Sequence, residues 1–169
     1  MDSIAIFTTA LEYEEKIRDL YLSAVATVDD DRGKNIFKAL ADDEQSHVDF
    51  LHYSLEQLRT ENLIDQKRLE TTIPDTDLIN EKIEKMKAQI PSQMLGDIKT
   101  VLNRALKLEK ETSAFYHDAI QKTEGPIKDI FTKFYDIEQR HVDVVQIELD
   151  HAMHNGVWFD FMEANLEVE

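Results

Sequence analysis

The sequence predicts an all-α protein, a four-helix bundle made of two helical hairpins. Three observations lead to this fold class. There are only 4 Gly and 3 Pro, and 32% of the residues are charged. Apolar residues recur every three or four positions along most of the chain, which is the period of a helix with one buried face. No convincing alternating strand pattern competes with this reading, and 169 residues suffice for a single domain over 1–169 with a sizeable core.

The first hairpin is predicted to lie within about the first 60 residues. Helix 1 spans about residues 3–28, with Ser3 as a candidate cap, and the acidic turn DDDRG at 29–33 closes it. Helix 2 spans about 34–59. Because the turn is short, the two helices are expected to be antiparallel neighbours.

Residues of about 60–97 form a connector to the second hairpin. It contains IPDTD and IPSQMLGD, two Pro-containing breaks around a charged segment, TDLINEKIEKMKAQ, that could form a short helix of its own. So long a connection predicts a crossover between helices 2 and 3.

The second hairpin follows the connector. Helix 3 spans about 98–123 and is expected to stop at EGP, where Gly125 and Pro126 give a strong break. Helix 4 spans about 127–154 and ends at Asn155-Gly156. We expect the tail of about 155–169 to pack back on the bundle through its apolar side chains, Trp158, Phe159, Phe161 and Met162.

Charge and cysteine content limit the function classes. A formal net charge of -16 argues against nucleic-acid binding, because such proteins neutralise phosphates with clustered Lys and Arg. With no Cys there is no disulfide, thiolate metal site or iron-sulfur cluster. The first residues lack the pattern of a signal peptide and nothing approaches a membrane span, so we expect a cytoplasmic protein with no membrane partner.

Each predicted helix places one Glu in the middle of its apolar face, and two helices add a His three residues later. The residues in question are Glu14, Glu44, His47, Glu109, Glu138 and His141. In an ExxH pair the two side chains lie about 60° apart on one face of a helix and can reach the same ion. A further pair, Glu148 and His151, begins ten residues beyond Glu138, roughly 80° around the helix. We predict that this pair is at the surface.

An internal repeat relates the two hairpins. ALEYE at 10–14 matches ALKLE at 105–109, and Tyr21 and Tyr116 each follow the aligned Glu by seven residues. Glu14 and Glu44 are 30 residues apart, and Glu109 and Glu138 are 29 apart. The hairpins therefore look like copies of one unit, related by a pseudo-twofold axis.

The burial of four carboxylates requires compensating charge. One unpaired carboxylate in a dry core costs several kcal/mol or becomes protonated, so four together are untenable alone. Two divalent cations of total charge about +4 would neutralise them. A carboxylate-rich site with one imidazole per ion suits iron or manganese better than thiolate-seeking metals, and zinc stays chemically possible.

This joint pattern is typical of ferritin-like di-iron and di-manganese bundles. Over most of its length the chain resembles the rubrerythrin branch of that superfamily, through ALEYEEKIRDLY, LADDEQSH, ALKLEKETSAFY and IEQRH. The resemblance implies a ferritin-like bundle that holds two Fe ions. It makes Glu14 and Glu109 terminal or bridging ligands, Glu44 and Glu138 bridging ligands, and His47 and His141 the imidazole on each metal. It also implies that Tyr21 and Tyr116, our candidate catalytic residues, hydrogen-bond to ligand carboxylates; the alternative is an ordinary core Tyr.

The chain departs from the family at two points. Rubrerythrins usually carry a rubredoxin-like site with four Cys, and this chain has none, so electrons are expected from an external donor protein. Many members also have a further carboxylate three residues after the Glu of helix 3, where this chain has Thr112.

Other polar residues near the pattern are expected to be solvated. Asp43 and Asp136 are assigned to exposed faces rather than to orienting a His, and His52 and His117 to the surface or rim. His151 and His154 could capture adventitious metal, but near the exposed end of helix 4 they are expected to be ordinary surface residues.

Two function classes remain, with a third, structural possibility. The first is an oxidoreductase that reacts with hydrogen peroxide or dioxygen in oxidative-stress defence, as a rubrerythrin-like peroxidase or ferroxidase. The second is a non-catalytic protein that binds, handles or senses iron. In the third, the metal mainly stabilises the folded bundle. The repeated hairpins also predict a homodimer, with exchange of helices through the 60–97 connector as one way to form it.

Overall fold

The computed structural model describes residues 2–75, 87–159 and 161 and confirms a four-helix bundle. Four long helices make up most of it: α1 (Ser3–Thr27), α2 (Asp31–Arg59), α3 (Leu95–Gln121) and α4 (Gly125–Asn155). α1 packs along α2 and α3 along α4, and α1 also contacts α3. The three-residue connections at 28–30 and 122–124 make each hairpin antiparallel, as predicted. No helix in the described part of the chain is long and apolar enough to cross a membrane.

Aspartates set the first turns of α1 and α2. The predicted cap Ser3 is instead the first helical residue, because the side chain of Asp2 accepts the amide of Ile4. Asp30 accepts the amide of Gly33 at 3.0 Å, so α2 begins three residues earlier than the expected residue 34. Part of the acidic turn therefore belongs to α2, since a carboxylate cap satisfies amides that would otherwise lack partners.

The ends of the second hairpin also differ from the prediction by a few residues. α3 begins at Leu95, directly after a 3-10 turn at Ser92–Met94, and ends at Gln121. α4 begins at Gly125, with Pro126 in its first turn, where a missing N–H costs no helical hydrogen bond. Gly156, at φ 64°, closes α4 in the left-handed conformation, as its place after Asn155 predicts.

The connector contributes a strand that the sequence did not indicate. β1 (Lys87–Gln89) pairs antiparallel with β2 (Val157–Phe159), and Ala88 lies opposite Trp158. The short helix considered for 76–89 falls mostly on 76–86, outside the described residues, and its last three residues form β1 instead. Three residues are too few to show an alternating pattern, and their pairing depends on a segment about 70 positions away.

The tail packs against the bundle as expected. Trp158, Phe159 and Phe161 are fully buried, while Met162 lies outside the described residues. The indole N–H of Trp158 donates to Asp30 at 2.6 Å, so the residue that caps α2 also holds the tail. A Cβ added at Gly33 would lie 2.7 Å from Trp158, so glycine is what permits this close approach.

Two apolar clusters lie on either side of the middle of the bundle. The first includes the tail aromatics together with Ile17, Ile36, Phe37, Leu40, Ile98 and Leu102. The second lies towards the other end and includes Phe7, Leu51, Leu55, Phe131 and Phe134. Along every helix the residues of the two clusters are separated by a short stretch that contains buried polar side chains.

Candidate dimetal centre

The structure brings the six predicted residues together in the middle of the bundle. One Glu comes from each of α1 and α3, and one Glu with one His from each of α2 and α4. All six side chains have zero solvent exposure: Glu14, Glu44, His47, Glu109, Glu138 and His141. Helical spacing places them on inward faces, and the antiparallel hairpins align those faces at one level.

The six residues divide into two overlapping groups that could each hold a metal ion. The first is formed by Glu14, Glu44, His47 and Glu138, and the second by Glu44, Glu109, Glu138 and His141. Within each group the potential ligand atoms all lie within 4.8 Å of one another. Glu44 and Glu138 belong to both groups, so these two carboxylates lie between the two positions.

Both imidazoles direct Nδ1 towards the carboxylates. Nδ1 of His47 lies 3.7 Å from Glu44 and 4.0 Å from Glu14. Nδ1 of His141 lies 2.6 Å from Oε1 of Glu44, without hydrogen-bond alignment, and 3.5 Å from Oε1 of Glu109. The two rings stack with centroids 5.6 Å apart.

Eight buried polar atoms of the cluster have no hydrogen-bond partner in the described part of the protein. They are Oε2 of Glu14 and Glu109, both carboxylate oxygens of Glu44 and Glu138, and Nδ1 of His47 and His141. Buried polar atoms are nearly always satisfied, so this many unsatisfied atoms in one place need a partner of another kind. A set of carboxylate oxygens with one imidazole nitrogen per group fits divalent iron or manganese.

Without metal, the cluster is electrostatically strained. Burial, followed by repulsion from the neighbouring carboxylates, raises the pKa of Glu14 and of Glu138 well above the usual value. Burial also raises the pKa of Glu44. Burial also opposes charge at Glu109, but attraction to His141 and hydrogen bonds to the carboxylate, including that from Tyr21, together lower its pKa. Burial opposes charge at His141 as well, but the carboxylates Glu44, Glu109 and Glu138 raise its pKa. Protons therefore compensate the charge when no cation does.

The outer nitrogen of each imidazole has a different partner. Nε2 of His141 lies 2.7 Å from Oδ2 of Asp43, and Nε2 of His47 lies 3.0 Å from the backbone carbonyl of Glu70. Asp43 also groups with the two Nε2 atoms as a possible metal site, but its geometry here is that of a hydrogen-bond acceptor. The predicted exposed position of Asp43 was wrong: only 2% of the residue is exposed. Its place four residues before His47, on the same helical face, was the available signal.

The two candidate tyrosines lie at the cluster and hydrogen-bond across it. The Tyr21 hydroxyl donates to Oε1 of Glu109, and the Tyr116 hydroxyl to Oε1 of Glu14, both at 2.7 Å. Burial, then the nearby carboxylates, raise the pKa of both phenols well above the usual value, so both stay protonated donors. These contacts agree with the hydrogen bonds that the sequence resemblance implied.

The prediction that Glu148 and His151 lie at the surface was wrong for Glu148. Its side chain is fully buried, and Oε1 accepts the amide of Phe159 at 2.8 Å. His151 is partly buried and its ring meets that of Phe159. Glu148 therefore anchors the tail. It lies on a different side of α4 from Glu138 and is not part of the central cluster.

The remaining polar residues lie where they were expected. Asp136, His52, His117 and His154 are exposed. Thr112 is buried beside Glu109, but its hydroxyl donates to the backbone carbonyl of Leu108 at 2.8 Å. The Thr112 hydroxyl therefore forms a hydrogen bond within α3. It does not replace the carboxylate that many members of the resembled family carry at this position.

Comparison with known proteins agrees with this geometry. The family model described as Rubrerythrin matches residues 5–149, which contain all four helix segments that contribute to the cluster. Neither a curated protein nor a solved structure gives a significant match to the sequence.

Proposed function

The chain belongs to the rubrerythrin family of di-iron carboxylate proteins, and from this premise we propose that its buried cluster is a di-iron centre that reduces hydrogen peroxide or dioxygen. The single observation that supports this best is the set of unsatisfied buried oxygens and nitrogens in two overlapping groups. Four carboxylates of total charge about -4 would match two divalent ions of about +4.

The geometry supports a specific division of ligand roles. Glu14 and His47 would complete one position, and Glu109 and His141 the other, while Glu44 and Glu138 would bridge the two. The tyrosine hydrogen bonds use Oε1 of Glu14 and of Glu109, so Oε2 of each stays without a hydrogen-bond partner among the described residues, and each of these carboxylates belongs to one group only. That arrangement favours Glu14 and Glu109 as terminal ligands, an assignment that sequence reasoning left open.

The remaining residues would orient the ligands and exclude water. When bound, a pair of iron ions supplies the electron transfer that reduces the oxidant. The protein holds the ligand atoms in place through Tyr21, Tyr116 and Asp43, and the two apolar clusters keep bulk water away on either side. Iron agrees with the ligand set and the family; manganese and zinc are the alternatives that metal analysis must test.

We propose that a separate protein donates the electrons. The 169 residues contain no Cys, so they cannot build the four-Cys iron site that rubrerythrins usually carry. We also propose a homodimer, which light scattering tests. Exchange of helices through the 60–97 connector is one way to form such a dimer.

A non-catalytic role in binding, handling or sensing iron is the second candidate. The observation in its favour is Thr112, which places a satisfied hydroxyl where many family members have another carboxylate. Fewer negative ligands stabilise oxidised iron less. Oxidant turnover with a reductant distinguishes the two candidates.

The test begins with the metal content of protein purified without chelator. The ferrous form is then prepared without oxygen, and its absorbance is followed as peroxide and dioxygen are added separately. About two irons per chain with rapid oxidation and repeated turnover support the proposal. Two irons that react with neither oxidant favour the iron-handling role, and metal that stabilises the fold without reacting favours a structural role.

A further inference from the structure

The two histidines of the cluster differ in what orients them. The partner of each Nε2 is an acceptor only: a carboxylate for His141, at 2.7 Å, and a backbone carbonyl for His47, at 3.0 Å. Each Nε2 must therefore carry the hydrogen, which leaves the lone pair of a neutral ring on Nδ1, towards the cluster. One imidazole is thus hydrogen-bonded to a charged group and the other to a neutral one.

This difference breaks the internal repeat. His47 corresponds to His141 at an offset of 94 residues, and the same offset relates Asp43 to Ile137. Ile137 is a buried apolar residue that cannot accept a hydrogen bond. The second hairpin therefore has no counterpart of Asp43, and the asymmetry is built into the sequence of the two copies.

A segment of the connector fixes Asp43 in place. Thr71 donates its hydroxyl to Oδ2 at 2.8 Å, and Thr72 donates its amide to Oδ1 at 2.8 Å and its hydroxyl at 3.2 Å. Leu69 and Ile73, on either side of these residues, are each 1% exposed and belong to the two different apolar clusters. We call residues 69–73 the strap, since they span the middle of the bundle; the carbonyl of Glu70 that accepts from His47 also belongs to it.

We propose that Asp43 is a positioning residue that makes the two metal positions inequivalent, so that the position beside His141 binds a divalent cation more tightly than the position beside His47. A carboxylate that accepts the outer N–H of an imidazole fixes the ring and increases the basicity of the ligating nitrogen. A neutral carbonyl does the same more weakly, because its hydrogen bond is not charge-assisted. Asp43 lies 3.7 Å from Nε2 of His47, beyond hydrogen-bond distance, so its effect falls mainly on His141. This inference rests on the proposed dimetal function.

Zinc(II) is a suitable probe because it is diamagnetic and has no redox chemistry. The full chain is labelled with ¹⁵N at its histidines, and zinc is added to the metal-free protein in steps below two equivalents. Ring nitrogen shifts, assigned with His47→Gln and His141→Gln, report which Nδ1 becomes a ligand first. We expect Nδ1 of His141 to shift before that of His47. A reversed order, or equal shifts at every step, would overturn the inference. This arm uses the wild-type Asp43.

Asp43→Asn provides the second arm. The amide oxygen of Asn can still accept a hydrogen bond but carries no charge, so we expect zinc affinity beside His141 to fall about 10–100-fold, with little change beside His47. The matched control is Asp42→Asn, which changes an exposed carboxylate one residue away whose partner is Lys38. Circular dichroism of the metal-free variants verifies that both are folded.

The outcomes separate this inference from the proposed function. Wild-type protein that binds no zinc at the six residues would overturn both. Wild-type protein that binds two zinc ions, with equal losses at both positions or no loss at either in Asp43→Asn, would overturn only the role of Asp43. A selective loss beside His141 supports it, because general destabilisation of the bundle would weaken both positions together.

Discussion

The Tyr116 hydroxyl on α3 donates a 2.7 Å hydrogen bond to Oε1 of Glu14 on α1. The reciprocal bond runs from Tyr21 on α1 to Glu109 on α3. Each tyrosine therefore reaches the carboxylate of the opposite copy, although it follows the Glu of its own helix by seven residues. The paired bonds join the two hairpins at the cluster and are the contacts through which one hairpin orients the other's proposed ligand.

Replacement of either tyrosine by phenylalanine is expected to weaken metal binding. Tyr116→Phe removes the donor to Glu14 and leaves a buried carboxylate oxygen without its partner, which costs about 1–3 kcal/mol. We expect metal affinity to fall about 10–100-fold, measured by competition with a chelator. Tyr135→Phe, on a half-buried residue beside His117, is the control and should leave affinity unchanged. Equal affinities in all three proteins would contradict a role for the hydroxyl.

The shared carboxylates should matter more than the terminal ones. Glu44→Gln or Glu138→Gln weakens both positions, so we expect loss of most of both ions, measured by elemental analysis. Glu14→Gln removes a ligand from one position only and should retain about one ion per chain. Glu111→Gln, an exposed residue on α3, is the control. If the Glu44 and Glu14 variants retained the same metal, the division into bridging and terminal ligands would be wrong.

Metal-free protein should lose stability as pH rises. Glu14, Glu44 and Glu138 have a raised pKa in the folded state, chiefly from burial, so their stabilising contribution is complete below the unfolded value of about 4.3. It is lost as pH rises through the folded pKa. The carboxylates also raise the pKa of His141, in opposition to burial. Its stabilising contribution is complete below the unfolded value of about 6.5 and is likewise lost as pH rises through the folded pKa.

Thermal unfolding of the chelated protein between about pH 5 and about pH 8 measures this effect. We expect the Tm to fall across the range, and to fall less in Glu138→Gln, where one titrating carboxylate is absent. The pKa of Glu109 is lowered, because attraction to His141 and hydrogen bonds to the carboxylate together outweigh burial; its effect on stability has the opposite sign but acts only at lower pH. Metal uptake should release protons, so apparent affinity should rise with pH. A Tm that rises over this range would contradict the electrostatic description of the cluster.

Glu148→Ala should destabilise the protein without removing metal. It leaves the buried amide of Phe159 without its acceptor, which costs about 1–3 kcal/mol of unfolding free energy. Chemical denaturation measures this loss, and elemental analysis should find the same metal content as in the wild type. Glu56→Ala, at an exposed position on α2, is the control for stability. Loss of metal from Glu148→Ala in folded protein would extend the site beyond the six residues.

Much of the fold and the convergence of the six central residues could be predicted from local spacing. A helix returns to the same face about every 3.6 residues, so a Glu in the middle of an apolar face must point inward whatever surrounds it. The repeated offsets between the hairpins then placed Glu14 with Glu109 and Glu44 with Glu138. The structure brings them together, and their role as metal ligands stays a prediction until metal is measured.

Helix ends were less predictable because they depend on single side chains. Asp30 extends α2 by accepting the amide of Gly33, and the same carboxylate accepts the indole N–H of Trp158. The first contact is local and could have been recognised. The second joins residues 128 positions apart, and no local pattern contains it.

What the sequence by itself determined is the class of the fold and which six residues meet, since both follow from helical periodicity, a property of neighbouring residues. Only the tertiary structure decided that Asp43 is buried against His141, that the strap holds it, that Glu148 anchors the tail and that β1 pairs with β2. Each of these depends on hydrogen bonds between two separate segments of the chain, from 11 positions apart for Glu148 and Phe159 to 98 for Asp43 and His141. The free energy of each hydrogen bond depends on where the partner segment lies. The packing of the whole bundle sets that position.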